Sequence, residues 1–338
     1  MAFSLKIISA VMILTFVAAA GAGALMARAL APVAEKTAEG RTISFEIEPG
    51  EPLRDVAHSL ETMDLIRSAR MMGWLARVTN LASSLKVGEY ELSRTQSTRE
   101  ILEMLAKGRV RTHAVVIPEG KRASEIATLL AAADLVETDA FLAVVFDPQI
   151  PSRFGVEGPS LEGYLFPDTY RFAKNLPPER IARTMVREFL RVYNALPSGN
   201  NQRDLSMREQ VTLASIVEKE TGAAKERPLI AAVFLNRLKR GMRLETDPTV
   251  IYGIDGFNGN LRRRHLADKT NPYNTYWIQG LPPGPIASPG RESLRAVREP
   301  ADTSFLYFVS RNDGTHRFSN TYREHERAVD RFQRRRQR

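Results

Sequence analysis

The chain has 338 residues, 43% of them hydrophobic, no cysteine, and 48 Lys and Arg against 39 Asp and Glu, for a net charge of +9. That length supports a sizeable core and more than one domain, and the absence of cysteine excludes disulfides, thiolate zinc sites and a cysteine nucleophile. The positive excess favours anionic partners, although part of it lies in the tail DRFQRRRQR, which reads as a solvated end.

The first predicted element is apolar. From Ile7 to Ala27 the chain carries no charge over 21 residues, enough for an α-helix to cross a hydrocarbon layer of roughly 30 Å. We divide this end into a cytoplasmic N-terminus at 1–5, a transmembrane helix at 6–28 and a tether at 29–40. Lys6 and the amino terminus precede the span, which predicts a cytoplasmic N-terminus with the rest of the chain outside. A cleaved signal peptide is the alternative, because AAAGAGA offers small residues to a peptidase.

Next, TISFEIEPG alternates apolar and polar residues as a half-buried strand does and closes on Pro-Gly. PLRDVAHSLETMDLI then puts Leu53, Val56, Ala57, Leu60 and Met63 on one helical stripe. VGEYELSRTQSTREILEMLAKG reads as a strand, with Tyr90 and Leu92, followed by a helix capped by Ser97 or Thr98.

Seventy residues after the first unit the design returns without a gap, in HAVVIPEGKRASEIATLLAAADLV. Gly120 falls opposite Gly50, Ile126 opposite Val56, Leu130 opposite Leu60, and Asp134-Leu135 opposite Asp64-Leu65. We assign a small module to 41–110, a second strand-helix unit packing on the catalytic domain to 111–155, a larger domain to 156–330 and a basic tail to 331–338. The fold class expected is α+β. The first module resembles LysM, a strand-and-helix unit that grips N-acetylglucosamine polymers; a docking module without sugar contact remains open.

In the second region, LEGYLFPDTYRF sets aromatics beside carboxylates, a composition shared by carbohydrate sites and core loops. MREQVTLASIVEKETG reads as a helix with Ser206 as N-cap, Glu209 at the capping-box position and Gly222 as C-cap. At about 100° per residue, Glu218 and Glu220 fall on nearly opposite edges of its apolar arc, so periodicity does not choose between them. An ion pair with Arg227, Arg237 or Arg243 would serve either one structurally.

VFLNRLKRGMRLETDPTVIYG continues as a helix to about Arg240, breaks at Gly241 and turns at Asp247-Pro248. NPYNTYWIQGLPPGPIASPG, with five prolines, reads as a shaped loop on a fixed scaffold. No phosphate-binding loop, H-E-x-x-H or G-x-S-x-G motif occurs, and the five histidines lack ligand spacing, so no metal site or cofactor is expected.

LEGYLFPDTY, LASIVEKET, NRLKRGMRLETDPTVIYG and PYNTYWIQGLPPGPIASPG, together with FLYFVSRNDGTHRFSNTYREH near the end, resemble the endolytic murein transglycosylases of the MltG or YceG-like family. The resemblance implies a lyase that cuts the β-1,4 bond between N-acetylmuramic acid and N-acetylglucosamine inside glycan strands and leaves 1,6-anhydro ends without using water. It implies Glu218 as the catalytic acid and base, with Glu162, Tyr164, Glu220, Asp247, Tyr252, Asn274 and Tyr276 lining the cleft. It further implies peptidoglycan strands as substrate, penicillin-binding wall synthases as partners, no nucleic acid, and a periplasmic or extracytoplasmic catalytic domain. His265 in RRRHL departs from the pattern, where an acidic residue is expected.

Two other readings stay open on sequence. One is a non-catalytic peptidoglycan-binding scaffold that recruits synthases. The other is a two-carboxylate muramidase, with Glu162, Asp168 or Asp247 as the second carboxylate.

Overall fold

The computed structural model describes residues 2–35, 42–197, 205–220 and 222–334. The chain forms two compact units, Met1–His113 with Ala173–Asn175, and Ala114–Phe172 with Leu176–Arg338. Residues 36–40 of the expected tether lie outside the described residues.

The first unit opens with helix α1 (Ala2–Leu30). Its stretch Met12–Leu30 has a mean hydropathy of 1.7 and is unburied, making it long and apolar enough to cross a membrane. Strand β1 (Thr42–Ile47) pairs antiparallel with β2 (Gly88–Ser93), with Phe45 opposite Tyr90. Helices α2 (Leu53–Thr62) and α3 (Ala69–Val78) lie between them in sequence, and α4 (Thr98–Lys107) follows. Alternation along β1 turns Phe45 and Ile47 inward, where they meet Val56, Leu60, Met72, Tyr90, Leu92, Ile101 and Leu105. Ser97 is the cap of α4, in a reciprocal box with Glu100. Met63, expected on the α2 stripe, is exposed because the helix has ended before it.

The second unit begins with β3 (His113–Val116), α5 (Ala123–Ala132), α6 (Thr138–Val145), α7 (Ile150–Phe154) and β4 (Thr169–Phe172), and β3 pairs with β4. The seventy-residue repeat has a backbone counterpart. Gly50 and Gly120 hold φ of +84° and +74°, and α2 and α5 are each 10 residues long. Asp64 and Asp134 end them at φ of 57° and 56°, a left-handed turn that Asp tolerates better than most side chains. The N–H of Leu65 reaches the Leu60 carbonyl at 2.9 Å, and that of Leu135 reaches Leu130 at 3.1 Å.

Val115, Ile126, Leu130, Phe141 and Phe154 share one continuous core with Tyr164, Phe189, Ile216 and Val297. The division therefore falls at His113/Ala114.

The remaining elements are α8 (Pro178–Ala195), α9 (Met207–Glu220), α10 (Arg227–Lys239), α11 (Asp247–Tyr252), α12 (Arg263–Leu266), α13 (Arg291–Arg298), the hairpin β5 (Tyr307–Ser310) and β6 (His316–Ser319), and α14 (Tyr322–Val329). Ser206 and Glu209 form the expected reciprocal bonds at the start of α9. Its other end adjoins Thr221, outside the described residues. Every residue from Val211 to Val217 is buried, because α10, α11 and α13 all pack on α9. A helix walled on most sides carries little directional pattern, which is why periodicity left the two glutamates undecided.

Candidate active site

Glu218 sits on the last turn of α9 with its side chain 6% exposed. Both carboxylate oxygens are engaged: Oε1 accepts from Arg227 Nη2 at 3.0 Å, and Oε2 accepts from the backbone N–H of Gly290 at 2.9 Å. Gly290 caps the N-terminus of α13, the end of a helix whose free N–H groups favour a negative charge. Arg227 opens α10, and among the described residues its buried Nε has no acceptor.

A fourth group comes from the turn between β3 and α5. The N–H of Gly120 donates to the Ser288 carbonyl at 2.9 Å and the N–H of Ser288 to that of Lys121 at 2.8 Å. These two bonds stitch the turn to the segment before α13. Lys219 Nζ adds a bond to the Gly120 carbonyl at 3.2 Å. Glu119 is thereby laid over Gly290, so closely that a Cβ there would lie 1.9 Å from Glu119 Oε1. Its Oε2 is 3.6 Å from Arg227 Nη2, the same nitrogen that holds Glu218. Burial raises the Glu119 pKa above the ordinary carboxylate value, the charges of Glu218 and Glu292 add to this, and Arg227 opposes it.

Two carboxyls thus face one guanidinium, Glu218 nearly enclosed and Glu119 open to solvent. A family model described as YceG-like matches residues 45–331.

The chain belongs to the YceG-like family.

It is 29% identical over 330 residues to a Bacillus subtilis protein named endolytic murein transglycosylase, spanning 92% of this chain and 90% of that protein. A Streptococcus pneumoniae protein of the same name is 29% identical over 318 residues, covering 85% of this chain but 58% of the longer relative. A crystal structure of a YceG-like protein from Listeria monocytogenes aligns with a TM-score of 0.58 and 31% identity, over 86% of this chain and 100% of that one.

In this YceG-like chain the residues expected around Glu218 separate into distinct clusters. Glu162 is 3% exposed; it accepts from the Ala123 N–H at 3.0 and 3.3 Å and from Tyr252 Oη at 3.1 Å. It pins the N-terminus of α5 to α11, and burial pushes its pKa up to about 7 against the pull of these donors. Glu162 also borders a cavity of about 50 Å³ together with Arg208, Tyr273 and Pro285. The guanidinium of Arg122 stacks 5.0 Å from the Tyr252 ring centroid.

Glu220, two residues beyond Glu218, turns to a different neighbourhood. It accepts a hydrogen bond from Thr246 Oγ1, and burial raises its pKa, with Asp247 adding and Thr246 opposing. Beside it, exposed Asp247 accepts from Tyr276 Oη at 2.7 Å. Glu220, Thr246, Asp247 and Tyr276 thus form a second cluster at the start of α11.

Tyr164 and Asn274 face inward. Tyr164 is buried, with its ring edge-on to Phe189 at 5.1 Å and its hydroxyl donating to the Glu157 carbonyl at 2.7 Å. The whole aromatic set of LEGYLFPDTYRF is buried, so these rings build core. Asn274 is completely enclosed: its Nδ2 donates to the carbonyls of His265, Leu266 and Asp268, and its Oδ1 accepts from Tyr276 N. His265 turns its Nδ1 to the N–H of Arg262 within α12.

No sequence pattern marked Glu119 or Gly290, whereas Arg227, which pairs with Glu218, was one of the three arginines expected as an ion-pair partner. Glu119 stands in the IPEG turn, matched seventy residues earlier by IEPG, but nothing local tied it to α9. Among the described residues no cluster of His, Asp or Glu forms a metal-binding set.

Proposed function

We propose that this chain is a membrane-anchored endolytic lytic transglycosylase that cleaves the MurNAc-β-1,4-GlcNAc bond within nascent peptidoglycan strands and leaves 1,6-anhydro ends. Family membership and the shared name of the curated relatives support the activity. The observation that carries the site assignment is Glu218, gripped by Arg227 and the Gly290 N–H and nearly withdrawn from water.

The chemistry suits that arrangement. The muramoyl C6 hydroxyl attacks C1 of its own ring as the glycosidic C1–O bond breaks, so no water molecule has to be activated. Glu218 protonates the departing glycosidic oxygen and then takes the proton of the C6 hydroxyl as O6 bonds to C1, while the 2-acetamido group stabilises the cationic centre. Because nucleophile and electrophile share one sugar, positioning replaces a second encounter. Glu218 itself is nearly withdrawn from water, which strengthens its interaction with a sugar hydroxyl.

Anchoring follows from α1, which we read as a single transmembrane span with a cytoplasmic N-terminus and the catalytic unit outside. The first compact unit would hold glycan in the manner of LysM, and synthases that extend strands are the expected neighbours of an enzyme that ends them.

The Arg227–Glu218 ion pair favours one competing reading. Glu218 would then be structural, and the chain a glycan-binding scaffold. Full-length protein in detergent, incubated with uncrosslinked glycan strands, separates the two by mass spectrometry. Wild type should release anhydro-ended fragments, and Glu218→Gln should release none while keeping its melting temperature. Products with reducing-end muramic acid would instead assign a hydrolase, and unaltered strands would leave the scaffold.

A further inference from the structure

The two faces of the β5–β6 hairpin have different neighbours. Alternation along β6 turns His316 and Phe318 to one side. There His316 Nδ1 lies 2.7 Å from Glu226 Oε2, and Phe318 packs on Phe305 and Phe308. Arg317 and Ser319 turn to the other side, where α14 packs. Between the hairpin and α14 lies a cleft of about 590 Å³, within the size range of small-ligand sites.

Four arginines line this cleft. Arg311 follows β5 and Arg317 stands on β6. Arg327 on α14 and Arg331 in the turn Asp330–Arg334 after it are four residues apart, the spacing of helical neighbours. Among the described residues none of the four guanidiniums has an ion-pair or hydrogen-bond partner. The Nε of Arg311 is, in addition, buried and without an acceptor. A buried N–H in that state bears the full cost of its lost hydration, and a ligand oxygen beside it would remove that cost.

The two carboxylates of the lining are already engaged. Asp313 Oδ1 accepts from Thr315 Oγ1 at 2.7 Å and from Thr315 N at 2.9 Å. Glu324 Oε2 accepts from the N–H groups of Thr321 and Asn320 at 3.2 and 3.1 Å. These hydrogen bonds hold both carboxyls below their ordinary pKa, so both are charged at neutral pH. Arg311 and Arg317 feel those charges from a distance, without pairing. Four positive charges against two negative ones leave an excess of two.

We propose that this cleft is a binding site for a dianionic phosphate or diphosphate group held by Arg311, Arg317 and Arg327. The planar fork of arginine meets phosphate oxygens two at a time. A dianion cancels the excess charge, whereas a single carboxylate would leave half of it. The site stands apart from Glu218 and does not depend on the transglycosylase reading.

The walls are fixed by their own bonds. The Arg311 N–H donates to the Thr315 carbonyl at 2.9 Å, closing the hairpin turn. Asn312 Nδ2 donates to the Phe332 carbonyl at 2.8 Å, tying that turn to the end of the chain's last helical stretch. Thr321 and Glu324 cap α14 reciprocally. Arginines mounted on such walls lose little freedom on binding. Ala328 and Phe332 add an apolar wall, on which the remainder of a phosphate-bearing molecule can rest. Free diphosphate and the headgroup of a phosphate-monoester lipid present the same oxygens to this cleft.

The test uses full-length protein in neutral detergent micelles at about 0.15 M salt, where exposed charges are largely screened. One arm titrates inorganic pyrophosphate by calorimetry. The other dopes the micelles with phosphatidic acid, with phosphatidylcholine as control, and follows melting temperature. Wild type should bind one of the two probes saturably. Arg311→Gln and Arg327→Gln should each weaken binding about 10-fold or more. Arg311→Lys, which keeps the charge and loses Nε, should weaken it as well. Arg323→Gln, on the same helix but outside the lining, should leave it unchanged. Arg327 is exposed, so its variant should keep the melting temperature of the unliganded protein and preserves the test if Arg311 proves necessary for folding. A response to pyrophosphate alone assigns a soluble ligand, and one to phosphatidic acid alone assigns a headgroup; either supports the site. No response to both probes, binding that the Arg311 and Arg327 variants leave intact, or an equal loss in Arg323→Gln would overturn it.

Discussion

Replacing Glu162 with glutamine should make the protein more stable at neutral pH and leave it nearly unchanged in acid. The enclosed carboxyl keeps its proton to about pH 7, against 4.5 for the free side chain. In the unfolded chain it ionises near the lower value. The folded state therefore binds the additional proton between these limits, and stability falls as pH rises through them. The contribution is complete below pH 4.5 and lost by about pH 7. A separation of roughly 2.5 units at 1.36 kcal/mol each is about 3 kcal/mol.

Glutamine reproduces the protonated form. Its carbonyl oxygen accepts from Ala123 N, and its amide donates to Tyr252 Oη, where Glu162 now accepts. Urea unfolding of both proteins at pH 4.5, 6 and 7.5, followed by circular dichroism, should give a gap that opens from near zero to about 3 kcal/mol in favour of the variant. Glu119 and Glu220 titrate in both proteins and cancel in the difference. Parallel stability curves, or a variant weaker at pH 7.5, would show that Glu162 is not the buried proton carrier its surroundings imply.

Glu89 in the first unit should act with the opposite sign. Ser44, His113 and Arg111 hold its pKa at about 2, so it stabilises above the unfolded value near 4.5 and ceases to do so as pH falls toward 2; Glu89→Gln should shrink the acid-side drop in melting temperature. Asn274→Ala should cost about 3 kcal/mol by stranding the carbonyls of His265, Leu266 and Asp268, and hydrogen exchange should localise the loosening to the loop around α12. Leu60→Ala and Leu130→Ala, equivalent positions of the two repeats and both fully buried, should each cost about 2–5 kcal/mol in chemical unfolding; a surface-like cost at either would show that the repeats do not pack alike.

Much of the local structure was legible along the chain. A charge-free stretch of this length reads as a helix because a helix satisfies its own backbone, and α1 is a helix long and apolar enough to cross a membrane. Alternation in TISFEI marked β1 because strand side chains point to opposite faces in turn. Caps at Ser97 and Ser206 were visible because a short hydroxyl and a glutamate three residues later bond nearby backbone. The duplicated turn and helix were visible because glycine and aspartate recur where the backbone turns left-handed.

The family resemblance singled out Glu218, but only tertiary structure shows how differently Glu218 and Glu220 are surrounded. The two residues are neighbours on a helix covered by three others, so hydrophobic period assigned them no partner. Their surroundings come from far away in sequence: Arg227 and Gly290 for Glu218, Thr246 for Glu220. Glu119 reaches the same guanidinium from a turn preceding α9, carried there by two backbone bonds to Ser288. Patterns of period and capping report only forces acting over a few residues. Which carboxyls share a cation depends on how separate helices pack, and no local spacing records that.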